Sequence, residues 1–152
     1  MRTEYKWLQK IFQKRPHILF DEKKVGEISY KGFLQNISNI RLHNYHYQFK
    51  RKGNFSSIID IINLNKNLKV GTIKFHSWIT KVTVRMNNHE YVYKQINSWK
   101  GIWELYLNET RLISTKGKMY SGNIRDYHGN EELVIITLFM RDFLSKQMMM
   151  IA

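Results

Sequence analysis

Apolar and polar residues alternate along most of the chain with the period of a β-strand. Tyr45, Tyr47 and Phe49 share one face of such a segment, and the residues between them are polar. The same alternation recurs at Val82, Val84 and Met86 and at Trp103, Leu105 and Leu107. Clusters rich in Asn, Gly and Lys separate these segments and favour turns. The pattern predicts roughly ten to twelve short antiparallel strands joined by hairpins.

The pattern changes after Asn130. Residues 133–136 are all apolar, and the apolar periodicity continues well beyond them. Asn130 is a favourable N-cap, and Glu131 and Glu132 suit the positive end of a helix dipole. Successive helical residues lie about 100° apart, so this run points in every direction around a helix axis. We predict a central hydrophobic helix over residues 130–147, buried on all sides, with a strand as the alternative.

A helix buried on all sides needs a sheet that wraps around it. We therefore expect a mainly β fold, a closed antiparallel β-barrel wider than about eight strands, with the helix as its core. A chain of 152 residues has a common size for one domain, so residues 1–152 are interpreted as a single barrel domain. Arg141 lies in a thin polar stripe of the helix, and it needs either a partner such as Asp142 or an exit to the barrel mouth.

The N-terminal segment has apolar residues at helical spacing, which predicts a short amphipathic helix within residues 1–15. Pro16 then disfavours helix at the preceding residue. This helix either caps one end of the barrel, the favoured interpretation, or lies in a membrane surface. In the second case the candidates for insertion are Trp7, Leu8, Ile11 and Phe12. The candidates for contact with anionic headgroups are Lys6, Lys10, Lys14 and Arg15.

The chain is strongly basic, with a formal net charge of +13. Such a charge attracts anionic partners at long range, including nucleic acid, acidic lipid and acidic protein. The chain has no Cys, its first residues lack the apolar stretch of a secretory signal, and no apolar run is long enough to span a bilayer. We expect a cytoplasmic protein, peripheral at the membrane if its N-terminal segment inserts.

The chain has no pattern typical of an enzyme. It contains no Gly-x-Ser-x-Gly elbow, no phosphate-binding glycine loop and no cysteine nucleophile. His43 and His46 would lie on opposite faces of an extended strand, which argues against a metal site. Asp126 and His128 could form an acid/base pair, but a turn before the helix is the favoured interpretation. We therefore expect no catalytic residues, no metal and no cofactor.

The densest basic run is Lys50, Arg51 and Lys52, at the tip of the strand that carries Tyr45, Tyr47 and Phe49. Basic residues beside aromatic rings are used by proteins that bind single-stranded nucleic acid. The three rings, however, fit the core face of the strand better. The basic tip remains a candidate for binding anions, whether lipid headgroups or nucleic acid.

Several segments together resemble a known family. They are Gly71, Thr72 and Ile73 followed by Trp78, then Tyr91-Val92-Tyr93, Trp99-Lys100-Gly101 and Trp103-Glu104-Leu105, and the apolar closing helix. From about Val25 to the end, the chain resembles the tubby C-terminal-like superfamily, which includes LURP-one-related proteins and phospholipid scramblases. The resemblance implies a twelve-stranded antiparallel barrel around a C-terminal helix, and a link to phosphoinositide or membrane phospholipid in some members. It transfers no binding residues, because no lipid-binding motif aligns.

These observations favour a non-enzymatic module that binds anionic phospholipid or a membrane surface. A nucleic-acid-binding barrel would use the same charges and is the main alternative. A carrier of apolar ligands is disfavoured, because the helix would fill the barrel interior. The sequence leaves the oligomeric state open.

Overall fold

The structure is a computed structural model that describes residues 2–8, 17–20, 22–32, 36–53, 57–76, 80–118 and 121–151. It contains antiparallel strands of one sheet followed by one C-terminal helix, which confirms the predicted mainly β fold. In chain order the elements are β1 (Thr3–Leu8), β2 (His17–Phe20), β3 (Lys23–Lys31), β4 (Ile37–Leu42), β5 (Tyr45–Arg51), β6 (Ile58–Asn63), β7 (Leu68–Phe75), β8 (Lys81–Met86), β9 (His89–Asn97), β10 (Ile102–Leu107), β11 (Thr110–Gly117), β12 (Ser121–Asp126) and α1 (Glu131–Ile151).

Each strand from β2 to β12 hydrogen-bonds to the strand that precedes or follows it in the chain. Strand β1 is paired along its whole length with β12, from Thr3 opposite Asp126 to Leu8 opposite Ser121. Its other edge contacts β2 over a shorter stretch, from Lys6 to Leu8. The sheet is therefore most weakly joined between β1 and β2.

The strands form where the alternation predicted them, and Asn residues make the tight turns. Asn87 and Asn88 connect β8 to β9 with positive φ angles of 53° and 62°, and Asn108 begins the β10–β11 turn with φ of 55°. Asn tolerates this left-handed conformation better than most residues, so these positions specify two-residue hairpins. The turn signals in the sequence are thus confirmed at these two hairpins.

Helix α1 is the centre of the hydrophobic core. Residues 133–136 are between 0% and 3% exposed, so four successive residues around the helix are all buried. The helix packs against β4 and β5 on one side and against β11 and β12 on another. Phe139 stacks on Phe49 of β5 at a centroid distance of 4.3 Å, and Phe143 contacts Phe75 of β7 at 4.3 Å. The predicted buried C-terminal helix is confirmed.

The predicted N-terminal helix is wrong for the part of it that the structure describes. Thr3–Leu8 form strand β1, with Tyr5 and Trp7 facing the core and Lys6 facing solvent. This short segment pairs with β12 along one edge and with β2 along the other. These long-range backbone hydrogen bonds decide its structure, although its apolar residues have helical spacing. The rest of the predicted helix, residues 9–15, lies outside the described residues.

Successive antiparallel strands run in opposite directions, so their connections alternate between two ends of the sheet. One end holds the start of α1 and the β4–β5, β6–β7, β8–β9 and β10–β11 turns, and we call it the Glu131 end. The other holds the β9–β10 turn and the finish of β5 and β11, and we call it the Arg141 end. The candidate site lies at the Arg141 end.

Candidate anion-binding site

A cavity of about 360 Å³ opens at the Arg141 end, between the β9–β10 turn, the finish of β11 and helix α1. Its wall includes Trp99, Lys100, Lys116, Lys118, Arg141 and Ser145, and we call it the Trp99 pocket. A pocket of this size accommodates a small ligand or one chemical group of a larger ligand. None of the described residues in its wall is an Asp or a Glu, so its charge is wholly positive.

The β9–β10 turn holds Trp99 in the solvent. Asn97 Oδ1 accepts a hydrogen bond from Lys100 N at 2.9 Å, and Ser98 O accepts one from Gly101 N at 3.3 Å. These bonds leave the side chain between them outside the sheet, and Trp99 is 98% exposed. Trp is usually buried for most of its surface, so an indole this exposed is unusual and makes Trp99 a candidate for contact with a ligand.

Strand pairing gathers the three lysines from distant parts of the sequence. In the β10–β11 ladder Ile102 lies opposite Lys116, which brings β11 beside the turn that carries Lys100. Lys118 N donates to Ser121 O at 2.9 Å, where the chain turns from β11 towards β12. All three lysine side chains are exposed. Together they form a basic rim around the pocket.

Arg141 is the deepest charged group of the pocket. It is only 8% exposed, and its Nη2 donates a short hydrogen bond to Gly117 O. Its buried Nε has no hydrogen-bond partner among the described residues, and no described carboxylate forms an ion pair with it. A buried charge without a counter-charge is costly. Arg141 lies in the wall of the pocket that opens at this end and has no described carboxylate partner, so of the two outcomes considered from the sequence the ion pair with Asp142 is not found.

Asp142 is not the partner of Arg141. Its carboxylate accepts from Tyr30 OH at 2.9 Å and pairs with Lys146 Nζ at 3.3 Å, on another side of the helix. Burial raises the pKa of Asp142, and the nearby Lys146 ammonium opposes this rise. Consecutive helical residues point about 100° apart, so Asp142 and its neighbour face different strands.

Gly101 lets the backbone approach the guanidinium. Gly101 has a φ of 63°, and a Cβ at this position would lie 2.3 Å from Gly117 O and 3.3 Å from Arg141 Nη2. Any other residue here would push away the carbonyl that holds Arg141. The Trp99-Lys100-Gly101 segment therefore has a local structural role: the glycine packs on β11 while the tryptophan remains outside.

The aromatic layer beneath the pocket supplies no counter-charge. Tyr93 stacks on Trp103 with ring centroids 5.2 Å apart, and its hydroxyl is 2.6 Å from Thr115 Oγ1. Burial raises the pKa of Tyr93, and the positive charge of Arg141 only partly opposes that rise. Tyr93 is therefore a neutral phenol at physiological pH, and it does not neutralise Arg141.

The predicted basic tip lies at the same end of the sheet as the pocket. Lys50 is exposed, and Lys52 Nζ lies 3.9 Å from Asp60 Oδ1. Arg51 faces the core side of β5, with its guanidinium 4.8 Å from the centre of the Phe143 ring, and burial lowers its pKa. The structure thus separates the tip into two lysines directed to solvent and one arginine that packs on the helix.

The N-terminal candidates do not form one cluster among the described residues. Lys6 is exposed on the outer face of β1. Trp7 is 7% exposed and packs over Gly122, where an added Cβ would come within 2.2 Å of the ring. As an insertion candidate Trp7 is therefore corrected, because its ring is used in the core. Leu8 is half-buried. The remaining candidates, Lys10, Ile11, Phe12, Lys14 and Arg15, lie outside the described residues, as does Trp78 of the family resemblance.

Sequence reasoning missed the rim residues of the Trp99 pocket. Lys100, Lys116 and Lys118 lie up to 18 positions apart and belong to no basic run, so only the β10–β11 register brings them together. A usable signal was present at Trp99, which follows the turn pair Asn97-Ser98 and precedes a lysine and a glycine. A tryptophan at a turn has no strand face on which to bury its ring.

The structure assigns local roles to the other polar candidates. Asp126 Oδ1 accepts from the backbone N–H groups of His128 and Gly129, both at 3.1 Å, which confirms the turn interpretation of this segment. His43 Nδ1 contacts Glu131 Oε1 at 2.8 Å. Within the described ranges, no three His, Cys, Asp or Glu side chains are arranged to hold a metal ion. Nor does the described part of the chain contain a helix long and apolar enough to cross a bilayer.

Comparison with known proteins adds no relative. No protein-family model matches the chain, and neither the curated proteins nor the solved structures give a significant match. The resemblance to the tubby C-terminal-like superfamily therefore remains a hypothesis.

Proposed function

We propose that this chain is a non-enzymatic module that binds anionic phospholipid at a membrane surface through its Arg141 end. The observation that carries the proposal is the fully exposed Trp99 beside a wholly basic pocket. Indole rings concentrate at the level of lipid headgroups, where one side of the ring is apolar and the other is wet. The lysines around it would lie at the same level and contact the acidic headgroups.

The charges at this end suit a surface contact. Each Lys or Arg close to an anionic leaflet contributes about 1 kcal/mol, so the three rim lysines would contribute about 3 kcal/mol. Lys50 and Lys52 lie at the same end and would add to this attraction. Electrostatic attraction of this size supports reversible binding, and insertion of Trp99 would add an apolar contribution.

The fold supports a surface role rather than transport of an apolar ligand. Residues of α1 fill the space that an internal ligand would need. We further propose that the short β1–β2 contact closes the sheet into a barrel around this helix. In that form the chain would be a small member of the tubby C-terminal-like superfamily, and it would act at the membrane from the cytoplasmic side.

The proposal is tested by co-sedimentation with vesicles of phosphatidylcholine alone and of phosphatidylcholine with phosphatidylserine. We expect the protein to pellet only with the acidic vesicles. A Lys100→Gln/Lys118→Gln variant should pellet at least about tenfold less, because two headgroup contacts are lost. The matched control is Lys23→Gln/Lys66→Gln, which removes two exposed lysines at the Glu131 end, one at the start of β3 and one in the β6–β7 turn, and should pellet like the parent protein.

Single-stranded DNA in the same assay tests the nucleic-acid alternative. An exposed aromatic ring beside basic side chains also suits the stacking of bases. If DNA removes the protein from acidic vesicles at low concentration and binds it more tightly than they do, nucleic acid becomes the preferred ligand. Equal and negligible pelleting with both kinds of vesicle would reject the membrane proposal.

A further inference from the structure

We infer that the Trp99 pocket is a site for one phosphate monoester, with Arg141 as the residue that contacts the phosphate. The inference deepens the proposed function and rests on it, because both use the Arg141 end. It goes further by naming a single bound group and the residue that selects it. It starts from Arg141, whose guanidinium has no carboxylate partner among the residues that the structure describes.

Arg141 has hydrogen-bonding capacity left over in the described structure. A guanidinium has five N–H donors, and Gly117 O accepts from Nη2. The neighbouring Nε has no described partner although it is buried. Natural proteins rarely leave a donor of a buried cation unsatisfied, because losing its hydration is costly. An anion that enters the pocket beside the guanidinium would supply a counter-charge and further hydrogen-bond acceptors.

The charge of the pocket selects the kind of anion. Three lysines and one arginine lie in its wall, and its described lining has no carboxylate. A phosphate monoester carries about −1.5 to −2 charges at neutral pH and has three terminal oxygens. A phosphodiester or a carboxylate carries about one negative charge and has fewer free oxygens. With more charge and more acceptor oxygens, the monoester therefore uses more of the four cations around the cavity than the other two anions can.

The anchoring of Arg141 suits recognition of phosphate. Gly117 O fixes Nη2 from the side of the sheet. The guanidinium is thus positioned before the ligand arrives, and little side-chain entropy remains to be lost on binding. Arg is well suited to such a site because its planar fork can donate two parallel hydrogen bonds to one phosphate.

A phosphate monoester reaches a protein from two sources, a phosphatidic acid headgroup or a soluble phosphorylated molecule. The probes are inorganic phosphate, water-soluble dibutyryl phosphatidic acid and, as a phosphodiester, dibutyryl phosphatidylglycerol, each titrated calorimetrically into the whole chain. We expect one site per chain for phosphatidic acid and at least tenfold weaker binding of phosphatidylglycerol. Equal binding of inorganic phosphate would point to soluble ligands, and much weaker binding of it would point to the lipid.

Substitution of Arg141 tests its role directly. Arg141→Gln should weaken binding of the phosphatidic acid probe at least about thirtyfold, the loss expected when one partner of a buried charged pair is removed. Arg141→Lys should recover part of it, because the charge returns without the bidentate geometry. The ³¹P chemical shift of the bound probe should change in Arg141→Lys, which a purely structural role would not cause.

If Arg141→Gln does not fold, the Lys100→Gln/Lys118→Gln variant keeps the inference testable. It should weaken binding of the probe several-fold, while Lys23→Gln/Lys66→Gln should leave it unchanged. Equal affinity for monoester and diester, or full binding by folded Arg141→Gln, would overturn the inference. If the protein binds acidic vesicles but no soluble phosphate monoester, the proposed membrane function is retained and the phosphate site in this pocket is rejected. Monoester binding without vesicle binding would retain the pocket and reject the membrane role.

Discussion

The two ends of helix α1 differ in how their charges are satisfied. At the Glu131 end, each acidic side chain of the first turn has a partner on the surrounding strands. Glu131 accepts from Tyr5 OH at 3.4 Å and contacts His43 Nδ1 at 2.8 Å, and Glu132 accepts a short hydrogen bond from Tyr47 OH. At the Arg141 end, a buried guanidinium finds a backbone carbonyl but no described carboxylate.

Polar bonding at the Glu131 end is directed inward. Asn130 Oδ1 caps the helix by accepting from Leu133 N at 3.1 Å, and the acidic first turn suits the positive end of the helix dipole. Asn63 Nδ2 donates to Tyr47 OH at 3.3 Å, so the network continues into β6. These bonds hold the helix in the sheet, and they leave the described acidic side chains of the first turn engaged within the chain.

The comparison separates stability from function. A protein gains nothing for its own folding from a buried cation without a counter-charge, or from an indole held wholly in solvent. Both features occur together at one end, while the polar groups of the opposite end are engaged within the chain. The Glu131 end therefore anchors the helix, and we propose that the Arg141 end is the surface presented to a ligand. Substitutions between and at the two ends test this division.

The largest effect on stability is expected from Ile136→Asp, midway between the two ends. Ile136 is completely buried, so the variant places an unpaired carboxylate in the core. Such a charge costs about 3–5 kcal/mol, a large share of the 5–15 kcal/mol typical of a domain. Circular dichroism should show an unfolded or strongly destabilised chain. Leu68→Asp, at a half-exposed position of β7, is the control and should melt like the parent.

A well-folded Ile136→Asp protein would mean that α1 does not lie in the core. In that case the hydrogen bonds at the Glu131 end would not hold the helix inside the sheet, and this end would have no anchoring role.

The inward placement of this helix was predictable from sequence, since a run of apolar residues covers every side of a helix. Its N-cap and acidic first turn are local features as well, and the structure confirms their positions.

The second effect is an alkaline loss of stability that originates at the Glu131 end. Burial, with the nearby charges of Glu131 and Asp126, raises the pKa of Tyr5 from 10.0 to about 12. Below pH 10 the phenol is protonated in both the folded and unfolded chain. Between about pH 10 and 12 only the unfolded chain loses the proton, so the free energy of unfolding falls as pH rises, by roughly 2–3 kcal/mol.

Urea unfolding of the parent and of Tyr5→Phe at pH 9 and pH 11.5 measures this contribution. The fall in stability between the two pH values should be smaller in Tyr5→Phe, because the phenylalanine cannot ionise. Other buried tyrosines, such as Tyr93, remain in both proteins and cancel in the difference. If the free energy of unfolding falls equally in the two proteins, the Tyr5 hydroxyl is accessible to water, and the Glu131 end is not closed to solvent.

A smaller difference in stability is expected between substitutions of two residues of the basic tip at the Arg141 end. Arg51→Glu removes a guanidinium that packs on the Phe143 ring and should cost about 1–2 kcal/mol. Lys50→Glu changes an exposed side chain and should alter stability by less than about 0.5 kcal/mol. Thermal unfolding measures both, and vesicle pelleting should fall in both. Equal stability of the two variants would show that Arg51 is a surface charge like its neighbour.

The sequence predicted strand alternation and the central helix because both depend on local periodicity. It failed at Thr3–Leu8, where six residues are too few to distinguish a strand from a helix and only pairing with β12 decides. It failed at the Trp99 pocket for a related reason. Lys100, Lys116 and Arg141 meet through the β10–β11 register and the packing of α1, which are long-range contacts that no short window of sequence contains.

The smallest effect on stability, and a large one on binding, is expected from Trp99→Ala. The ring is 98% exposed, so its removal should change the free energy of unfolding by less than about 0.5 kcal/mol. Acidic vesicles should shift the tryptophan fluorescence of the parent to shorter wavelength, and this shift should be lost in the variant together with most of the pelleting. Tyr45 was predicted to face the core, but it is 37% exposed at the Glu131 end because it is the first residue of β5; Tyr45→Ala should preserve both. If Trp99→Ala binds acidic vesicles as well as the parent does, the exposed indole does not contribute to membrane binding. The proposal that the Arg141 end binds a ligand would then depend on Arg141 alone.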